Sequence, residues 1–183
     1  MDYSDVEWVL TGERLTAATF DRHRKEGGFV VLHYPVLTDE MLERTLVAPF
    51  VFVSSDGRLE KGRGHPRGAG SFARLLGRYV RERRALSLAD AIAKITLLPA
   101  RRLEDRVPDM KRKGRIAVGA DADLVVFDAD RIIDRATFRE PATFSEGVRF
   151  LLVGGTPVVR NGQLSEVARP GRALRAPVAT AGQ

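Results

Sequence analysis

The 183-residue chain contains no cysteine. That absence excludes a disulfide framework and any thiolate metal site. Its three histidines, His23, His33 and His65, form no His-x-His pair. No apolar run approaches the roughly 18 residues needed to span a membrane. The amino terminus, Met-Asp-Tyr-Ser-Asp, is acidic where a secretory leader would be basic, so a cytoplasmic location is expected. Aromatic residues make up only 7% of the chain. This scarcity bears on the net charge of +6, which by itself invites a nucleic-acid partner. The densest basic clusters, Arg78 to Arg84 and Lys111 to Arg115, carry no stacking platform and are interspersed in a chain rich in Asp and Glu. They read as solvated faces, and nucleic acid is not an expected partner.

What is present is a pattern of helices and short apolar strands. Ser4-x-x-Glu7 is a capping box and predicts a helix, followed by a second from about Thr16 to Lys25 that Gly27-Gly28 stops. His23, among Arg22, Arg24 and Lys25, is expected on the surface of that helix. Phe29 to Tyr34 predicts a strand, and Thr38 caps a helix to about Leu46. Helix, strand, helix, strand in this order predicts parallel pairing through crossovers. A helix is expected over about 71–84, and another after Ser87 with Leu88, Ile92 and Ile95 on one face. Pro99 fits the first turn of a short helix through Leu103. From Gly114 the period becomes strand-like, with strands at Leu124 to Phe127, Val148 to Val153 and Pro157 to Val159. Asn161-Gly162 is a hairpin signal.

The centre of the chain is Phe50-Val-Phe-Val-Ser-Ser-Asp-Gly57. Its apolar half predicts a short strand buried on both faces. Its polar half delivers Ser54, Ser55 and Asp56 to the carboxyl end of that strand, where α/β folds gather their chemistry. Asp56-Gly57 is equally compatible with a simple strand-ending turn. The loop that follows, Arg58 to Gly70, holds Gly64-His65-Pro66-Arg67 and is placed to meet a substrate.

Taken together, Ser55-Asp56-Gly57, Gly64-His65-Pro66-Arg67, Ile95-Thr96 with Pro99-Ala100, and Gly114-x-Ile-x-x-Gly-Ala-Asp-Ala-Asp-Leu-Val-Val-Phe-Asp128 with Val153-Gly154-Gly155 resemble the carboxyl-terminal portion of the amidohydrolase superfamily. Within it they are similar to the N-acyl-D-amino-acid deacylase (D-aminoacylase) branch. The resemblance implies an α/β fold, the last part of a metal-dependent (β/α)₈ barrel over residues 1–112, then part of a small β-sandwich over 113–168 and a tail over 169–183. Phe29 to Tyr34 would be the seventh barrel strand and Phe50 to Val53 the eighth.

The resemblance also implies roles. Asp56 matches the aspartate that contacts a metal-bound water and carries its proton to the leaving amine. The metal, one or two zinc-type divalent ions, would lower the pKa of that water. Arg67 would grip a substrate carboxylate through its planar fork, His65 would brace the loop or line the site, and Tyr34, with His33, would line the pocket. The substrate class is a small N-acyl amino acid. A full barrel takes about 250 residues, and the superfamily's His-x-His pair and its other histidine ligands have no counterpart here. The metal is therefore not expected to stay on this chain alone. A complementary amino-terminal chain, self-association of exposed strand edges, or a catalytically inactive assembly module are the corresponding expectations.

Overall fold

The computed structural model describes residues 2–33 and 37–177. The amino-terminal capping signal opens no α-helix. Asp2 instead caps a single 3₁₀ turn, Tyr3–Asp5, and the Asp5 carboxylate accepts from the Asp2 main-chain N–H at 2.7 Å. Val6 and Trp8, both buried, then impose a period of two, and the chain enters β1 (Val6–Trp8). β1 lies between β2 (Glu13–Arg14) and β3 (Val30–Leu32), antiparallel to both. α1 (Ala17–Glu26), capped by Thr16, covers this sheet with Phe20.

Two expectations fail here. The strand predicted from Phe29 is found as β3, but its partner is β1, antiparallel, rather than the 50–53 run in parallel. Phe50 to Val53 forms no strand, and Phe50 is 81% exposed. A strand buried on both faces needs a ladder neighbour on each side. β1 supplies β3 with a neighbour close in sequence, and among the described residues nothing flanks 50–53 in a ladder. The third correction is His23, expected at the surface. It is buried at 6% exposure, stacked on Trp8 with ring centroids 4.3 Å apart.

The main core lies in the helical half. α2 (Asp39–Val47), capped by Thr38, is followed by a loop and then by α3 (Arg67–Arg74), which continues without a break into a π-helical stretch, Leu75–Glu82. Leu75, Leu76 and Tyr79 pack with Ala73, Ala91 and Ile132. Gly77 allows the close approach, because a Cβ there would sit 2.4 Å from the Ile132 carbonyl oxygen. Arg78 ties the π stretch to Asp39 of α2 at 2.6 Å, and Arg83 pairs with Glu43. α4 (Leu88–Ile95), capped by Ser87, and α5 (Leu97–Leu103), with Pro99 in its first turn, complete this half. The buried positions of α4 are Ala91 and Lys94, whereas Leu88 and Ile92 are partly exposed, so its inward face is rotated from the expected one.

The last strands follow the expected order. β6 (Leu124–Phe127), β7 (Val148–Val153), β8 (Thr156–Arg160) and β9 (Gln163–Leu164) form one antiparallel sheet in sequential order. Asn161 and Gly162 both take positive φ, as the tight hairpin between β8 and β9 requires. The Ala-Asp-Ala-Asp segment before β6 is an ionic clasp. Lys113 Nζ lies 2.9 Å from Asp121 and also pairs with Asp123, Arg172 reaches Asp121 at 2.8 Å, and Asp123 accepts the Gly154 N–H at 2.7 Å. These carboxylates join the entry of β6 to the β7–β8 turn and to the chain beyond β9.

Candidate active site

The loop after the 50–53 run turns on two glycines. A Cβ on Gly57 would lie 2.2 Å from Gly68 Cα, so the two backbones meet only because Gly57 carries no side chain. Between them, β4 (Leu59–Glu60) and β5 (Arg63–Gly64) form a two-residue hairpin through Lys61 and Gly62, both at positive φ. This hairpin carries His65-Pro66-Arg67 back to Asp56.

Asp56 adopts φ +39°, with its carboxylate 92% exposed. Arg67 Nε donates to the Asp56 main-chain carbonyl at 3.0 Å, and the guanidinium lies 3.6 Å from the Asp56 carboxylate. Arg67 thus stands at the start of α3 beside an open carboxylate. His65 Nδ1 accepts the Arg67 main-chain N–H at 3.1 Å, and its ring meets Phe138 edge-on at 4.9 Å. Burial, then the charges of Arg67 and His33, hold the His65 imidazolium below its ordinary pKa, which keeps the ring neutral and able to accept that bond. His33 also packs on Phe138, with ring centroids 4.2 Å apart. Its pKa is also lowered, chiefly by burial and then by Arg14. His33 Nε2 stands 3.0 Å from the Glu7 carboxylate, in a direction that makes no hydrogen bond.

The structure therefore brings Asp56, Arg67 and His65 together and packs His33 against Phe138. Tyr34, the remaining expected contact, lies outside the described residues. Two contributors were not legible in the sequence. Phe138 comes from the long connection between β6 and β7, with no local signal to mark it. Lys94 faces the interior of α4 and donates to the carbonyls of Ala48 and Val51, just ahead of Asp56. A lysine amid the apolar positions of an amphipathic helix was the available clue.

A model of the Amidohydrolase family matches residues 50–159, which contain Asp56, Arg67, β6, β7 and all but the last residue of β8. The chain belongs to the amidohydrolase family. Among curated proteins, it is 44% identical to an N-acyl-D-glutamate deacylase of Alcaligenes xylosoxydans xylosoxydans over 149 residues, covering 81% of this chain and 29% of that protein. It is 35% identical to an N-acyl-D-aspartate deacylase of the same organism over 141 residues, covering 77% and 27%. A crystal structure of the N-acyl-D-glutamate deacylase of Bordetella bronchiseptica, complexed with zinc and a phosphonate mimic of the tetrahedral intermediate, superposes with a TM-score of 0.68. There the identity is 42%, over 76% of this chain and 28% of that one. A D-aminoacylase structure described by its binuclear metal center gives a TM-score of 0.69 at 31% identity, over the same shares. The chain spans less than a third of the length of these relatives.

The metal named for the two solved relatives can be tested against the residues present. Among the described residues, no group of three or more His, Cys, Asp or Glu side chains is arranged to hold an ion. His33 and His65 both pack on the Phe138 ring, and the Asp56 carboxylate has the Arg67 guanidinium as its charged neighbour.

Proposed function

We propose that this chain supplies the proton-transferring aspartate and the substrate-gripping arginine of a hydrolase that cleaves the amide bond of N-acyl-D-amino acids. The observation that carries the reading is the Gly57–Gly68 contact, which sets the open Asp56 carboxylate beside Arg67 at the start of α3. In this reading Asp56 takes a proton from the attacking water and returns it to the departing amine as the amide C–N bond breaks. Arg67 binds the substrate's α-carboxylate, its fork reaching outward while Nε stays on the Asp56 carbonyl. Neutral His65 fixes the start of α3 and so the direction of Arg67.

The remaining ligands of a metal centre, and the rest of a barrel, would come from outside these residues. Phe50, Ile116 and Val118 support that reading, because all three are large apolar side chains left almost wholly in solvent. The same exposure favours a second role, an assembly module whose apolar run docks on the complementary portion of an amidohydrolase fold.

The test joins the chain to the amino-terminal portion of a D-aminoacylase and assays N-acetyl-D-amino acids. Asp56→Asn is expected to lower kcat by about 10²–10⁴-fold, because an amide cannot accept the proton. Arg67→Lys keeps the charge but loses the fork, so KM is expected to rise with kcat less affected. Unchanged kcat in Asp56→Asn would return Asp56 to a turn residue. Stable association of the two portions without turnover would favour the assembly role.

A further inference from the structure

Lys94 is 4% exposed, and its ammonium is met by two main-chain carbonyls rather than by a carboxylate. It donates to Ala48 O at 2.6 Å and to Val51 O at 3.0 Å, while its own carbonyl accepts the Val53 N–H at 3.4 Å. A buried ammonium is costly to desolvate, and a methionine of similar length would fill the same space without that cost. What methionine lacks is the two donors. They act on a run with few other ties: residues 50–53 lie in no ladder, Val53 packs on the edge of the main core, and Val51 N–H turns back on Ala48 O at 3.2 Å. That run leads through Ser54 and Ser55 directly to Asp56.

We infer that Lys94 is a positioning residue, a pin from α4 that holds the Ala48–Val53 turn so that Asp56 arrives beside Arg67. The inference rests on the reading of Asp56 as the proton-transferring group. The other half of the pair has anchors of its own, since Arg67 opens α3 and its main-chain N–H is held by His65 Nδ1. Loss of the pin is therefore expected to move Asp56 and to leave substrate binding in place.

Because the chain has no cysteine, Lys94→Cys provides a unique thiol within it. In the same fusion, built on a cysteine-free amino-terminal portion, that thiol is alkylated in denaturant with 2-bromoethylamine and the protein refolded. This restores an ammonium at nearly the length of lysine; propylation gives a neutral group of matching size. Lys94→Met and the propylated protein are expected to lose about 10²-fold in kcat, the scale of a misplacement of about 1 Å, with KM within about twofold. The aminoethylated protein is expected to regain most of that loss. In the 183-residue chain, Lys94→Met is expected to speed hydrogen exchange at the Val53 amide at least tenfold and to leave Leu75 to Tyr79 unchanged. Equal kcat in the propylated and aminoethylated proteins, or an unchanged Val53 exchange rate, would overturn the inference. If Asp56→Asn alone left kcat unchanged, the reading of Asp56 would fall instead, and the exchange measurement would still decide whether Lys94 fixes the turn.

Discussion

The carboxylates of the last sheet and the carboxylate of the 50–67 loop are held in opposite ways. Asp121 and Asp123 are enclosed by Lys113, Arg172 and the Gly154 N–H, and these partners hold both carboxyl groups below their ordinary pKa. Asp56 has one loose guanidinium neighbour and an otherwise open face. A carboxylate whose acceptor sites are filled by its own chain serves architecture, while one fixed through its backbone with its oxygens free can serve a ligand. Both kinds sit in motifs that carry the family resemblance, so the motif alone does not separate them.

Substitutions in the two regions sharpen that contrast. Gly77→Ala would drive a methyl group into the Ile132 carbonyl, and overpacking of this kind typically costs about 1–3 kcal/mol. A drop of that size in unfolding free energy, measured by urea denaturation, is expected. Gly57→Ala makes a comparable clash with Gly68, but in a loop outside the main core. There the expected loss is in kcat/KM of the fused enzyme, about tenfold or more as Asp56 and Arg67 separate, with less loss of stability than at Gly77.

Asp123→Ala is expected to cost about 1–2 kcal/mol, near the low end for charged hydrogen bonds because the group is partly solvated. Asp56→Asn, which tolerates the positive φ of this position, should change stability by less than about 0.5 kcal/mol. If the two aspartates prove equally costly, the contrast between an enclosed and an open carboxylate breaks.

The smallest effect concerns the histidines. Hydrogen bonding to Glu13, opposed by burial and then aided by Glu26, raises the His23 pKa. Its contribution is therefore full below the unfolded value, about 6.5, and fades as pH rises through the folded value. Its partner Glu13 is lowered chiefly by the same hydrogen bond, so the pair weakens again when acid reaches that carboxylate. His33 and His65 are lowered, so they destabilise the fold as pH falls below about 6.5. His23→Gln should make stability fall more steeply on acidification from neutral pH, and His65→Asn should make it fall less steeply. Urea titrations at several pH values, followed by the fluorescence of the chain's one tryptophan, would show the two opposite slopes.

Much of this architecture was legible wherever a local rule had no competitor. Thr16, Thr38 and Ser87 cap helices where expected, and Asn161-Gly162 turns the last hairpin. Ser4-x-x-Glu7 misled because Val6 and Trp8 are drawn into a core, and burial outweighs a cap. Phe50 to Val53 misled for a different reason. Its composition suits a central strand, but a strand is made by its neighbours, and β3 is engaged elsewhere. At the site, Asp56, Arg67 and His65 were readable because they share one short loop. Lys94 and Phe138 were not, since each reaches it across roughly forty residues or more of sequence.

The π-helical stretch carries a consequence for how this chain tolerates changes of length. Arg83 N–H bonds back to Arg78 O across five residues, and Ala85 N–H to Tyr79 O across six. A run wound this widely holds about one more residue than an α-helix needs for the same turn. Removing one codon within 75–82 would let the stretch close into α form and keep its turn, whereas removing one from the α-helical residues 67–74 would swing all that follows by about 100°. Arg81, which now donates to the carbonyls of Ala129 and Ile132, would then point away from the segment it clamps. The reading frame would survive such a deletion, but the joint between the helical half and the final sheet would not.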